Sequence, residues 1–293
     1  MTEQWEQQRV VCSAPAKLNL FLQITGQRQD GYHELQTLFR LLDYSDTLTF
    51  ELDPGGEISR VNDIPGVSSE QDLVVKAARL LQQTTLVAQG VKIFRDKRLP
   101  MGGGLGGGSS DAASTLLALN QLWRCGLDVD ALASLGQRLG ADVPVFVRGQ
   151  SAWGEGVGEK LTPVVLPSCW YLVVHPAVHV VTAELFSDSE LTRDCSPITI
   201  RDFLAEGGEN VFQSLVRTRY PAIDRAFQWL GRFAEAKLTG TGSCLFAEFA
   251  GEDQARMVLN TLPDELEGFV AQGLNDSPVL SELNINYWAV AKR

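Results

Sequence analysis

Hydrophobic positions change period several times along the chain, and each change marks an element. Residues 10–26, VVCSAPAKLNLFLQITG, are rich in strand formers. Within them Leu18, Leu20 and Leu22 alternate with Lys17, Asn19 and Phe21. A period of two puts the leucines on one face and Lys17 with Asn19 on the other. The turn residues Gln29-Asp30-Gly31 follow, then a second strand region, 35–52, that closes on the turn DPGGE. Residues 69–85, SEQDLVVKAARLLQQTT, predict a helix with apolar positions at 73, 74, 77, 80 and 81. GVKIFRDKRLP predicts a strand, 110–124 a helix, and 128–141 another helix capped by Asp128 or Asp130. VPVFVRG reads as a short strand, because Pro144 biases Val143 towards an extended conformation. The glycine-punctuated WGEGVGEKLTP suggests a domain boundary. Beyond it, strands are expected near 170–175, 244–250 and 267–271, and helices near 210–217, 221–234 and 252–261. The pattern is α+β in two domains, 1–158 and 159–293, with the tail 278–293 expected to pack back on the first.

Six glycines occupy the seven positions 102–108, directly before a helical pattern at 112, 115, 116, 119, 122 and 123. Ordering six glycines costs roughly 3–6 kcal/mol of extra chain entropy, which a flexible linker would avoid. Linkers rarely run straight into a capped helix, and Ser109 or Ser110 is a good N-cap. Glycine N–H groups beside a helix N-terminus instead make an anion site, above all for phosphate. No lysine follows as a P-loop requires, and a G-x-G-x-x-G string in so rich a run carries little information. Asp111, in the first turn, would repel a phosphate; it is expected to point away or to act through a cation.

Composition narrows the partners. The 293 residues carry 25 Lys and Arg against 36 Asp and Glu, a formal net charge of -11, which argues against nucleic acid. No run of about 18 apolar residues predicts a membrane span, and MTEQWEQQRV does not read as a signal peptide. Five scattered cysteines without a C-x-x-C fit a reducing cytoplasm. His175 and His179 stand four apart, but Pro176 and a strand-like setting argue against a metal site, and no metal ligand is assigned.

PMGGGLGGGSSDAA resembles the phosphate-binding motif of the GHMP kinases, the galactokinase, homoserine, mevalonate and phosphomevalonate kinase family. SAPAKLNLFLQITGQRQDGYHEL resembles that family's N-terminal motif and AKLTGTGSCLFAEF its C-terminal glycine motif, in the same order. The likeness runs from about residue 11 to 278. It implies a two-domain α+β fold with the active site in the interdomain cleft, and transfer of the ATP γ-phosphate to an alcohol. DGYHELQTLF, GADVPVFVRG and EGVGEKLTP narrow it to a branch whose acceptor is a cytidine diphosphate-linked methylerythritol. Mg²⁺ follows from ATP chemistry, with no carboxylate pair standing out as its holder.

The resemblance assigns roles by position. Pro100, Gly102, Gly103, Gly104, Gly106, Gly107 and Gly108, with Ser109 and Ser110, would hold the nucleotide's phosphates. Lys97, otherwise an ordinary surface lysine, matches a position near the nucleotide. Asp142, which from the residues alone reads as a turn aspartate, becomes the candidate base, with Lys17 beside it to favour the ionised carboxylate and orient the hydroxyl. Asn19, on Lys17's face, is a candidate for the acceptor's hydroxyls. Tyr32 would stack on the cytosine and His33 hydrogen-bond its edge. Phe186, by itself a core or interface aromatic, would close the sandwich, and Thr182 would contact the methylerythritol.

Three departures from the family pattern stand out. Asp72 replaces a usual Asn near the adenine, where it can accept a hydrogen bond but not donate one. ENVFQSLV carries Val211 and Gln213 where the family has acids, and SELNINYWAVAKR runs past its usual stop. Two rival readings remain: a homoserine- or mevalonate-type kinase, and a nucleotide-binding module without turnover. The aromatic DGYH segment argues against the first, and intact Lys17 and Asp142 argue against the second. A cytoplasmic monomer or weak homodimer is expected.

Overall fold

A computed structural model of the chain describes residues 8–285. In chain order its elements are β1 (Arg9–Gln27), β2 (His33–Asp53), β3 (Ile58–Arg60), α1 (Leu73–Thr85), β4 (Gly90–Asp96), α2 (Gly107–Leu122), α3 (Val129–Gln137), α4 (Val143–Arg148), β5 (Ala152–Gly156), β6 (Lys160–Pro163), β7 (Trp170–His175), α5 (Thr182–Phe186), α6 (Ile200–Glu206), α7 (Gln213–Arg219), α8 (Pro221–Leu230), β8 (Lys237–Leu238), β9 (Leu245–Phe249), α9 (Glu252–Leu259), β10 (Glu267–Leu274) and α10 (Pro278–Glu282).

The long antiparallel ribbon of β1 and β2 organises the N-terminal half. β4 pairs along the second half of β2, with β3 parallel at its outer edge, and β5 pairs along the first half of β2. The expected boundary at 158/159 falls in the turn of the β5–β6 hairpin. β2 also meets β10 through Leu42–Gly273 and Leu41–Leu274, and from there the sheet continues β10-β7-β9-β8 through the C-terminal half.

Each half has its own apolar core. α1, α2 and α4 cover the first, where Val74, Ala78, Leu116, Val143 and Val147 meet Phe50 and Ile93. α7 and α8 cover the second, where Val216, Ile223, Phe227 and Leu230 meet Leu172, Val174 and Leu245. A third core joins them: Leu18, Leu42, Leu99 and Leu105 pack with Tyr171, Val173, Cys244 and Phe246. Arg40, fully buried, fastens this seam by donating to Asn275 Oδ1 (2.7 Å), Pro167 O (2.7 Å) and Gly273 O (2.9 Å). A guanidinium there is tolerable because those acceptors replace its lost water. α10 returns to the first half: Ser13 N and Oγ donate to the Glu282 carboxylate, both at 2.7 Å, and Val279 and Leu283 enter that core. The rest of the expected tail, 286–293, lies outside the described residues.

Three local expectations are corrected. VPVFVR is the helix α4, not a strand, with Pro144 in its first turn. Proline is tolerated there because the missing N–H would have had no helical partner. α2 begins at Gly107 with Gly106 as its left-handed N-cap, so Ser109 and Ser110 lie within the helix rather than capping it. The helix is buried almost all round from Ser110 to Leu119, since its alanines and serines allow α1, α4 and β1 to approach closely. Finally, the alternation along β1 breaks. Asn19 pairs with Phe39 but Leu22 with Thr37, so one extra residue resets the register. Leu22 therefore shares the Lys17 and Asn19 side, while Phe21 turns into an aromatic cluster with Trp153 (4.9 Å) and Phe203 (4.8 Å).

Candidate active site

A cleft of about 1280 Å³ runs between the two halves. Its floor is the glycine loop, whose shape follows from contacts that no side chain could share. Gly102, Gly104 and Gly106 have φ of 71°, 78° and 72°. A Cβ on Gly103 would stand 2.5 Å from Cys244 Sγ, and one on Gly104 would stand 2.3 Å from Thr239 O. The C-terminal glycine segment is thus pressed against the loop. Cys244 N donates to Gly103 O (3.1 Å), Ser243 N to Gly102 O (3.3 Å) and Thr239 Oγ1 to Gly104 O (3.4 Å). Lys17 N donates to Leu105 O at 3.0 Å. The loop's carbonyls are turned into the protein. Among the described residues nothing accepts from the N–H groups of Gly102 to Gly106. Together with the open N–H groups of α2's first turn, they form an electropositive rim, the chemistry that receives phosphate oxygens.

Lys17 reaches across this floor from β1. Its ammonium lies 3.3 Å from Asp142 Oδ2, donates to Gly104 O at 2.9 Å, and also donates to Asn19 Oδ1. Asn19 passes the chain on by donating Nδ2 to Thr37 Oγ1 at 2.8 Å. The Lys17 side chain is 3% exposed and that of Asp142 34%, so the buried cation presents a carboxylate that water and solute can reach. Asp142 holds this position because it is the N-cap residue of α4, and it makes no side-chain capping bond that would draw it away.

Behind the loop lies a buried charge network absent from the sequence reading. Asp72 caps α1 by accepting from Val74 N (3.1 Å), and its two oxygens also take Arg95 (2.7 and 3.2 Å) and Arg60 (3.0 Å). It lines the cleft, but with its acceptor capacity already used by its own chain. Arg95 continues to Asp111 Oδ2 at 3.1 Å. Lys97 lies 3.4 Å from the same oxygen and also pairs with Asp46, which in turn accepts from Arg98 N (2.6 Å) and Leu99 N (2.8 Å) at the loop's entrance. Asp111 points into this network. Burial raises its carboxyl from 3.8 to about 7; Lys97 and Arg95 oppose the shift and Asp46 adds to it. Asp111 Oδ1 has no partner.

The far end of the cleft is aromatic. Gly31, at φ 89°, turns the chain, and Asp30 Oδ1 accepts from Tyr32 N at 3.1 Å, which holds Tyr32 64% exposed at the mouth. Opposite, Phe186 ends α5, with its ring centroid 5.1 Å from His33 and 4.9 Å edge-on from Phe212. Thr182 Oγ1 is 2.8 Å from Thr241 Oγ1, which ties α5 to the C-terminal glycine segment. Arg193 holds His33 from behind, with Nε 3.3 Å from His33 Nε2.

The cleft gathers Lys17, Asn19, Tyr32, His33, Lys97, Pro100, Gly102, Gly103, Gly104, Gly106, Gly107, Gly108, Ser109, Asp142, Thr182 and Phe186. Ser110 is not among the lining residues; one helical position past Ser109, its hydroxyl is buried and without a partner. Sequence reasoning missed Asp46, Arg95 and Arg193. The first two sit on regular strands and the third in an irregular segment, with no motif around them.

Residues 72–150 match the model of the GHMP kinases N terminal domain, and residues 195–268 that of the GHMP kinases C terminal. The chain belongs to the GHMP kinase family. Within it, the chain is 55% identical over 267 residues to the 4-diphosphocytidyl-2-C-methyl-D-erythritol kinase of Nitrosococcus oceani, covering 91% of this chain and 95% of that one. It is 56% identical over 266 residues to the enzyme of the same name from Thiobacillus denitrificans, covering 91% and 96%. A crystal structure of 4-(cytidine 5'-diphospho)-2C-methyl-D-erythritol kinase superposes with a TM-score of 0.77 at 32% identity, covering 90% of this chain and 99% of that one. Mevalonate kinase from Methanococcus jannaschii shares the fold, with a TM-score of 0.67 at 19% identity over 91% of this chain and 99% of that one.

Proposed function

We propose that this chain transfers the γ-phosphate of ATP to the 2-hydroxyl of 4-diphosphocytidyl-2-C-methyl-D-erythritol. The observation that carries the reading is the Lys17–Asp142 pair, 3.3 Å apart, set over the N–H-lined glycine loop. Phosphoryl transfer requires little covalent work from the protein; it requires an in-line hydroxyl and charge stabilisation. The loop and the first turn of α2 hold the phosphates. Lys17, fixed by Gly104 O and Asn19, stands where charge builds between donor and acceptor. Asp142 accepts the hydroxyl's proton as the bond to phosphorus forms. A weak base suffices, because in a loose transition state the proton leaves late.

At the far end, Tyr32 and Phe186 sandwich the cytosine while His33 reads its edge. The distance between the aromatic end and the Lys17–Asp142 pair is bridged by the diphosphate and the methylerythritol, with Thr182 beside the latter.

Mg²⁺ arrives with the nucleotide. Among the described residues no three His, Cys, Asp or Glu side chains form a metal site, and Asp111 and Asp142 are each held by a cation. The chain offers no cage of its own for the ion, which would take its ligands chiefly from the phosphate oxygens and supply charge neutralisation there.

The test is ADP release from MgATP with a panel of acceptors. Turnover with the cytidylated methylerythritol, and none with homoserine or mevalonate, is expected. Turnover with homoserine or mevalonate instead would reassign the substrate, and ATP binding without turnover on any acceptor would make the chain a nucleotide-binding module.

A further inference from the structure

Arg193 has no place in the reading above, yet its guanidinium joins two walls of the aromatic end. Nε meets His33 Nε2 at 3.3 Å. Nη2 donates to Phe186 O (2.7 Å) and Asp188 O (2.6 Å), and Nη1 donates to Leu191 O (3.1 Å). Three backbone carbonyls fix the fork, and the side chain of Asp188 is itself paired with Arg219, so the clamp is anchored to α7. A guanidinium only donates. The imidazole nitrogen it meets must therefore accept, which leaves the ring neutral with its proton on Nδ1. Burial, and then the charge of Arg193, lower the His33 pKa, in keeping with a neutral ring. His33 lines the cleft, and with Nε2 occupied the nitrogen left for a ligand is an N–H donor.

That polarity has a consequence for the base. The pairing edge of cytosine presents two adjacent acceptors, N3 and O2; uracil presents an N–H at position 3. A fixed donor matches the first and meets a second donor on the other, leaving a buried N–H unpaired. We propose that Arg193 is a specificity-positioning residue: by holding His33 as its Nδ1–H tautomer and tying it to the Phe186 wall, it makes the cleft choose a cytosine over a uracil nucleotide. The inference deepens the proposed function and rests on it for the identity of the base.

The experiment uses the full chain and two readouts. Nitrogen-15 NMR of the histidine rings, with His33 assigned through His33→Gln, gives the tautomer; titration with CDP and with UDP gives base preference without turnover. The expected wild-type result is an Nδ1–H ring and CDP bound at least about tenfold more tightly than UDP, the worth of one hydrogen bond lost. In Arg193→Ala, His33 is expected to shift towards Nε2–H and the CDP preference to shrink. The KM for the cytidylated acceptor should rise while the ATP KM and kcat stay within about twofold. Arg193→Lys, which lacks the planar fork, should resemble Arg193→Ala.

An Nε2–H ring in the wild type overturns the proposal, as does an unchanged CDP-to-UDP ratio in the folded variants. If Arg193→Ala does not fold, the wild-type tautomer and Arg193→Lys decide. CDP selectivity lost with Arg193, in a protein with no kinase turnover, would sink the proposed reaction and leave the tautomer clamp standing.

Discussion

Asp142 and Lys17 illustrate why single residues here cannot be read as independent contributors. Lys17 lies 3.3 Å from Asp142 Oδ2 and fixes the direction of the carboxylate, so neither side chain can be changed without moving the other. Asp142→Asn keeps the size and an acceptor for Lys17 but removes the proton acceptor. Its kcat is expected to fall by about 10²–10⁴, with the ATP KM unchanged. Steady-state kinetics with both substrates varied reads this out, and a kcat within a fewfold of wild type would take Asp142 out of the proton-accepting role. Tyr32 acts at the other end. Exposed by 64%, it has little to do for folding and much to offer a base. Tyr32→Ala should raise the acceptor KM by about 5- to 150-fold, the equivalent of ~1–3 kcal/mol of stacking, and leave the ATP KM almost alone. Equal rises in the two constants would show that the ring does not stack on the acceptor.

At the scale of elements, the glycine loop and the C-terminal glycine segment are one structure made from two distant stretches. Gly104→Ala places a methyl against Thr239 O, at 2.3 Å, in a backbone held at φ 78°. Neither obstacle is a side chain that can rotate aside. The variant is expected to lose ATP binding and to melt several degrees lower, since strain and overpacking cost about 1–3 kcal/mol each. Gly251→Ala, with nothing within 4 Å, is the control and should do neither. Calorimetric melting and ATP titration check both. The same loop marks the limit of what the sequence discloses. Six glycines before a helix point to a phosphate cradle, because glycine's cost demands a reason. What shapes the cradle, Thr239 to Cys244, lies more than a hundred residues away; its glycines are legible as a motif, but nothing in them says that they press against residues 102–104. VPVFVR was misread for a related reason. Its β-branched residues and proline favour an extended chain locally, but burial of Val143, Val145 and Val147 rewards the helix. The bulge after Asn19 was equally invisible, since one inserted residue changes the facing of Leu22 without changing composition.

The whole molecule carries Asp46, Asp72, Asp111, Arg60, Arg95 and Lys97 as one network joining β2, β3, β4, α1 and α2 with the loop's entry strand. Asp111 keeps one oxygen, Oδ1, without a hydrogen-bond partner, and burial outweighs the pull of its cations. The sign of the resulting pH dependence is opposite to that of an ordinary salt-bridged aspartate. A carboxyl whose folded pKa is raised, here from 3.8 to about 7, binds its proton more tightly in the native state. Its stabilising contribution is complete below about 3.8 and is lost as pH rises through about 7. Asp111→Asn removes that titration while mimicking the protonated form, so comparison with wild type cancels the other carboxylates. The variant should compare worst with wild type near pH 5 and gain on it towards pH 8. The Tm difference should move by about 2–4 °C for each kcal/mol of linkage. Thermal melts of both proteins across that range measure it. If the variant instead lost ground as pH rose, Asp111 would be ionised in the native state, with Arg95 and Lys97 outweighing burial. The cleft's back wall would then be a settled ion-pair lattice rather than one in which Asp111 keeps its proton.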